Sequence, residues 1–151
     1  MSTPRIDLNR HAAAPYAAVV RLEQRIELDP ELKELIKLRA SLINGCAFCI
    51  DMHWADARAR GESEQRLAQL AAWHESPYFD DRERAALALT DAVTNVSTTH
   101  VPDDVWAEAE RHFELDELAH LLFQIGAINL WNRIAVSART PPASYAQRDA
   151  A

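Results

Sequence analysis

Apolar residues at helical spacing narrow the folds open to this chain more than any other feature. Between Leu32 and Ile43, leucine and isoleucine recur every three or four positions, which places them on one face of an α-helix. Valine, isoleucine and threonine are scattered instead of alternating, and only 3 of the 151 residues are glycine, so strands have little support. The sequence therefore predicts an all-α protein.

Capping residues and prolines divide the chain into about seven helical segments. The segments begin near Pro15, Asp29, Cys46, Ser63, Asp80, Pro102 and Asp116. Asn44-Gly45 and Gly61 end two of them, and Pro141-Pro142 ends the last. Short connections predict one helical bundle over residues 1–151, with loose ends at residues 1–10 and about 140–151.

Charge and hydropathy limit the partners. The formal net charge is -7, and an acidic surface repels phosphate, so we expect no nucleic acid partner. The most apolar stretch, residues 118–136, is interrupted by polar side chains and is predicted to be a buried helix, not a membrane span. The first ten residues do not resemble a secretory signal. We expect a cytoplasmic protein without a membrane partner, whose two cysteines rest reduced.

The pattern C-x-x-C-x-x-x-H, formed by Cys46, Cys49 and His53, is the strongest chemical signal. On a helix these three side chains lie within roughly 60° of one another. Cysteines at positions i and i+3 can close a disulfide with a modest change of backbone. Cys46 is predicted to lie in the first helical turn, where the helix dipole stabilises a thiolate, and His53 can accept a thiol proton. The pattern predicts a redox-active pair.

Glu34 is predicted to support this pair from the preceding helix. It is in line with Leu38 and Leu42, so its carboxylate should face partly inward, with a raised pKa and a need for a hydrogen-bonding partner. His53 is one such partner. The alternative is a surface glutamate paired with a neighbouring lysine, Lys37 or Lys33.

Other interpretations of the cysteines stay open. Free cysteines often pack in an apolar core. A zinc site would need a fourth ligand, for which the chain offers Glu34, His74, His100 and His120. Covalent haem attachment is excluded because Ile50, not histidine, follows the second cysteine, and a thioredoxin fold would need a βαβ unit.

Two segments resemble the core of the AhpD-like alkylhydroperoxidases, within the carboxymuconolactone decarboxylase family. They are E-L-I-K-L-R-A-S at residues 34–41 and N-G-C-A-F-C at residues 44–49, followed by His53. Similarity extends over about residues 5–140, including Trp73, Pro77, residues 82–87 and residues 131–133. The resemblance implies a single-domain AhpD-like bundle that forms a homo-oligomer, a trimer or hexamer, and uses thiol peroxidase chemistry. We expect no cofactor and no metal.

The resemblance also implies roles for the four residues. Cys49 would be the peroxidatic thiol, Cys46 the resolving thiol, and Glu34 with His53 the proton relay. Phe48 departs from the AhpD pattern, which often has a second histidine between the cysteines. The decarboxylase branch lacks the cysteine pair, so decarboxylation is not expected.

The sequence therefore predicts an enzyme that reduces peroxides and is recycled by an external dithiol or reductase. Two alternatives remain. One is a disulfide oxidoreductase or redox sensor without peroxidase turnover, which Phe48 favours. The other is a non-catalytic helical assembly module whose cysteines are core residues.

Overall fold

The structure, a computed structural model, describes residues 3–148 and is built from helices without a strand in that range. The α-helices are α1 (Leu8–His11), α2 (Ala13–Arg25), α3 (Pro30–Asn44), α4 (Ala47–Ala59), α5 (Glu64–Gln69), α6 (Asp81–Thr94), α7 (Val96–Thr99), α8 (Asp103–His112), α9 (Leu115–Ala138) and α10 (Ala143–Arg148). A 3₁₀ turn at Leu70–Ala72 extends α5. The all-α prediction is confirmed. About seven helices were expected; the additional α1, α7 and α10 are too short to carry a helical period.

Local side chains set the helix ends much as the sequence predicted. The carboxylate of Asp29 accepts the first free amides of α3, and Gly45 ends that helix in the left-handed region at φ 65°. Ser63 caps α5, and Asp80 and Glu83 form a reciprocal capping box at α6. These contacts depend on residues a few positions apart, which is why the sequence alone could predict them.

The expectation of loose ends was wrong for the part of both termini that the structure describes. The amide of Arg5 donates to the carbonyl of Ala138 at 2.9 Å, so the N-terminal segment lies against the end of α9. The hydroxyl of Ser144, in α10, donates to Asp51 of α4 at 2.6 Å. These contacts join residues that are far apart in the chain, so no periodic pattern in the sequence could have predicted them. Residues 1, 2 and 149–151 lie outside the described residues.

Helix α3 is the centre of the bundle and packs against α4, α6 and α9. One of its faces, with Leu32 and Ile36, joins a core with α6, α8 and α9. The other, with Leu35 and Leu38, packs against α5, the 3₁₀ turn and α6. Helix α9 is buried along much of its length, as predicted, and no helix of residues 3–148 is long and apolar enough to cross a membrane.

Candidate active site

The cysteine pair lies where α4 begins. Cys46 is the N-cap residue, one position before the helix, and its Sγ accepts the amide of Cys49 at 3.4 Å. Cys49, not Cys46, therefore lies in the first helical turn, where the dipole favours a thiolate. The two residues form a disulfide with Cα atoms 5.3 Å apart, a usual spacing. The structure thus describes the oxidised pair, where the sequence led us to expect thiols at rest.

Glu34 and His53 meet across the α3–α4 hairpin. Glu34 Oε2 and His53 Nδ1 are 3.0 Å apart, and the two residues are only 4% and 5% exposed. The other carboxylate oxygen, Oε1, accepts a hydrogen bond from Lys37 Nζ at 2.7 Å. The inward position of Glu34 is thus confirmed and the alternative of a surface glutamate was wrong, although one oxygen does pair with Lys37 while the other faces His53. Lys33 instead donates to the carbonyl of Ile26.

The prediction of a raised pKa for Glu34 was wrong. Burial raises the pKa of this carboxyl, but hydrogen bonds with His53 and Lys37 and the charge of Lys37 outweigh burial and hold it below the ordinary value. The sequence placed Glu34 inside correctly, but it could not weigh burial against two partners on separate sides. Glu34 is therefore a carboxylate at neutral pH.

A cavity of about 890 Å³ opens beside this group. Cys49, Glu34, Lys37 and His53 all border the cavity, whereas Cys46 is not among the residues that line it. The rest of its wall is largely apolar and includes Tyr16, Val20, Phe48, Met52, Trp131 and Ile134. The rings of Tyr16 and Trp131 pack edge to face with centroids 5.0 Å apart. Sequence reasoning identified the polar residues but missed this wall, and Trp131 entered only through the resemblance.

One group of side chains on the cavity wall has the spacing of cation ligands. Ligand atoms of Glu34, His53 and Asp56 lie within 4.8 Å of one another. Lys37 already bonds to Glu34, and Arg60 Nε is 3.9 Å from the same carboxylate. Two positive charges at one oxygen oppose the binding of a cation, so the group fits a metal poorly.

The three histidines considered as a fourth zinc ligand do not line the cavity that Cys49 borders. His74 stacks on the ring of Trp73 and is largely exposed. His120 accepts the amide of Glu27 at 3.0 Å. His100 follows α7 with a positive φ of 53°. Of the four candidate ligands, Glu34 is the one that borders the cavity together with Cys49.

The family model described as the carboxymuconolactone decarboxylase family matches residues 10–92, more than half of the chain. The chain belongs to this family. An uncharacterised relative, YdfG of Bacillus subtilis, is 44% identical over 105 residues, which cover 70% of this chain and 71% of YdfG. The matched region of the family contains the α3–α4 hairpin and therefore all four predicted site residues.

Comparison with solved structures indicates which branch of the family the chain resembles, the AhpD-like proteins. A protein of unknown function from Agrobacterium tumefaciens, described as a candidate antioxidant defence protein AhpD, superposes with a TM-score of 0.90 at 42% identity and covers 93% of this chain and 98% of its own. An uncharacterised peroxidase-related protein from Ralstonia eutropha with an AhpD core superposes at 0.77 with 21% identity, covering 89% and 73%. The second likeness concerns the fold alone. This family member has the AhpD-like fold that its sequence predicted.

Proposed function

We propose that the protein is a thiol peroxidase that reduces organic hydroperoxides through Cys49 and Cys46. The observation that carries the proposal is the position of Cys49, which borders the cavity together with His53 and Glu34, while Cys46 does not. A peroxide that enters the cavity meets the sulfur of Cys49 first. Cys49 is therefore the peroxidatic residue and Cys46 the resolving one.

The reaction starts from the reduced pair. His53 takes the proton of the Cys49 thiol, and the thiolate attacks the peroxide, forming an S–O bond as the O–O bond breaks. The leaving alkoxide takes a proton from His53 and departs as the alcohol, which leaves a sulfenic acid on Cys49. The sulfur of Cys46 attacks this sulfenic acid, forms the disulfide and releases water. An external dithiol or reductase then returns two electrons and two protons by thiol–disulfide exchange.

The cavity wall supports an organic substrate over hydrogen peroxide. Tyr16, Met52 and Trp131 offer apolar surface that hydrogen peroxide would not use, whereas the alkyl or aryl group of a hydroperoxide would bury against it. The burial of the two sulfurs also limits which molecules can react with them. Both cysteines are 1% exposed, so a small molecule in the cavity reaches Cys49 more easily than the thiol of a folded protein does.

Phe48 supports a second candidate, a disulfide oxidoreductase or redox sensor. Its side chain packs against the cluster that Cys46 and Cys49 form with Ala135 of α9. A histidine there would add a second proton carrier, and its absence favours exchange chemistry over peroxide turnover. The burial of both sulfurs weighs against exchange with folded proteins but leaves exchange with a small dithiol in the cavity open, so we place this candidate second.

We further propose that the protein is a homo-oligomer, a trimer or hexamer. Leu115, Phe123 and Leu130 of α9 are exposed, and separations of eight and seven residues put them on one face of the helix. Light scattering should give a mass several times 17.0 kDa, and Phe123→Glu should lower it. A monomer at micromolar concentration would contradict this proposal.

The peroxidase proposal is tested by intact mass and thiol trapping. Reduced protein given one equivalent of cumene hydroperoxide should lose two hydrogens and both free thiols, and cumyl alcohol should appear. Cys49→Ser should abolish peroxide consumption, and Cys46→Ser should leave a trappable sulfenic acid on Cys49. The opposite pattern would exchange the two roles. If the reduced protein loses its thiols when it is mixed with a protein disulfide but not with peroxide, the disulfide oxidoreductase is favoured. If it loses its thiols with neither reagent, the assembly module is favoured.

A further inference from the structure

We propose that Lys37 is a positioning residue of this site. Lys37 holds Glu34 in its ionised form, and the carboxylate in turn orients His53 so that Nε2 can accept the proton of the Cys49 thiol. The proton transfer in this proposal rests on the proposed function. The arrangement of Lys37, Glu34 and His53 does not depend on it.

The contact between Lys37 and Glu34 is short and mostly enclosed. Lys37 Nζ lies 2.7 Å from Glu34 Oε1, one helical turn away on α3, and the side chain of Lys37 is 12% exposed. A charge-assisted hydrogen bond of this length, removed from water, is stronger than a surface ion pair. Lys37 also borders the cavity, so it belongs to the same wall as Cys49.

Other charged groups near Glu34 do not make this contact. On α3, Lys33 donates to the carbonyl of Ile26 at 2.9 Å. Arg60, after α4, has its Nε 3.9 Å from Glu34 and is 46% exposed. Asp56 approaches His53 Nδ1 at 4.0 Å from the solvent side, and Glu23 of α2 faces Lys33. Lys37 is thus the cation that bonds to Glu34 directly.

Hydrogen bonds to its backbone hold the turn that carries Lys37 in place. The carbonyl of Lys37 accepts the hydroxyl of Ser41 at 2.7 Å, and Ser41 in turn accepts the side-chain amide of Asn132 at 3.0 Å. Ser41 and Asn132 are fully buried. These bonds fix the backbone of the turn, whereas the ammonium group itself is held by its contact with Glu34.

The ionisation of Glu34 decides which nitrogen of His53 can act as a base. An ionised carboxylate only accepts hydrogen bonds, so it selects the imidazole with hydrogen on Nδ1 and a lone pair on Nε2. A protonated carboxyl can donate to Nδ1, which selects the other tautomer and places hydrogen on Nε2. Burial alone favours the protonated carboxyl. The hydrogen bond with His53 and the hydrogen bond and charge of Lys37 together reverse that preference. Lys37 supplies a lasting positive charge, and so helps to keep His53 able to accept a proton.

The test compares Lys37→Met with Lys37→Arg and with the matched control Lys33→Met, which removes a lysine one turn earlier on α3. The protonation of Glu34 is followed by carbon-13 NMR of its carboxyl, and the reactivity of Cys49 by the pH dependence of iodoacetamide labelling in the reduced protein. Labelling does not require peroxide turnover. A failure of the peroxidase proposal can therefore be told apart from a failure of this one.

In Lys37→Met, the titration midpoint of Glu34 should rise and the labelling of Cys49 near neutral pH should slow. The loss should be smaller than the about 10²–10⁴-fold that removal of a base causes, and higher pH should reverse it. Lys37→Arg should restore the wild-type profile. Lys33→Met removes a charge that acts on Glu34 only at a distance, so it should move the midpoint less than Lys37→Met does.

Unchanged midpoints and labelling profiles in Lys37→Met would overturn the proposal, as would an equal shift in Lys33→Met. Lys37→Gln keeps a hydrogen-bond donor without the charge, and it replaces Lys37→Met if that variant does not fold. A shifted profile in a protein that consumes no peroxide would support the role of Lys37 and contradict only the peroxidase function.

Discussion

Helix α3 carries two polar clusters that differ in charge. The cavity cluster contains Glu34 and Lys37 together with His53, and all three can ionise. The amide cluster lies one to two turns later, and its members do not line the cavity. It consists of Ser41 and Asn44 on α3 and Asn129 and Asn132 on α9.

The amide cluster holds helices together with neutral hydrogen bonds. Asn44 Nδ2 donates to the side-chain oxygens of Asn129 at 3.0 Å and Asn132 at 2.9 Å, and Asn129 donates to Thr94 of α6 at 3.0 Å. Arg133 contacts Asn129 from the solvent side. Neutral bonds of this kind do not change with pH. The comparison indicates that the amide cluster supplies pH-independent bonds between packed helices, whereas the cavity cluster places ionisable groups where a substrate can enter.

The largest expected effect is at His53. Because His53 is the base of the proposed reaction, His53→Asn should slow the oxidation of Cys49 near neutral pH by about 10²–10⁴-fold. Higher pH should restore much of the rate, since hydroxide can then remove the thiol proton. Stopped-flow oxidation by cumene hydroperoxide across a pH series measures both. If the profile of His53→Asn matches that of the wild type, the cavity cluster has no role in proton transfer.

The next effect is at Asn132, in the amide cluster. Asn132→Ala removes its bonds to Ser41 and Asn44 at a fully buried position. Both partners keep one other hydrogen bond, so each lost bond costs about 0.5–1.5 kcal/mol. Urea denaturation should show this loss of unfolding free energy. The pH profile of Cys49 labelling should keep its shape in the folded molecules. A shifted profile would mean that the two clusters are coupled, and the comparison would then fail.

The smallest effect is on the pH dependence of stability. The pKa of Glu34 in the folded protein lies below its ordinary value of 4.5, so its ionised form stabilises the fold. That contribution is fully present above the unfolded value and is lost as the pH falls through the folded value. Urea titrations at decreasing pH should therefore show a shallower loss of stability in Glu34→Gln than in the wild type, while Asn132→Ala should keep the wild-type slope. Equal slopes for wild type and Glu34→Gln would exclude this contribution.

The sequence by itself determined the features that arise from neighbouring residues. Asp29 and Gly45 bound α3 through contacts within a few positions, and helical spacing put Cys49 and His53 on one face of α4. The inward position of Glu34 also followed from spacing, because residues three and four apart share a helix face wherever the helix packs.

Only the tertiary structure decided the environment of those residues. The pKa of Glu34 moves down instead of up because His53, on another helix, and Lys37 bond to its two oxygens at the same time. The cavity wall brings Tyr16 of α2 against Trp131 of α9, more than a hundred residues apart in the chain. Spacing along one helix fixes which side chains share a face, but the groups that this face meets depend on how the helices pack.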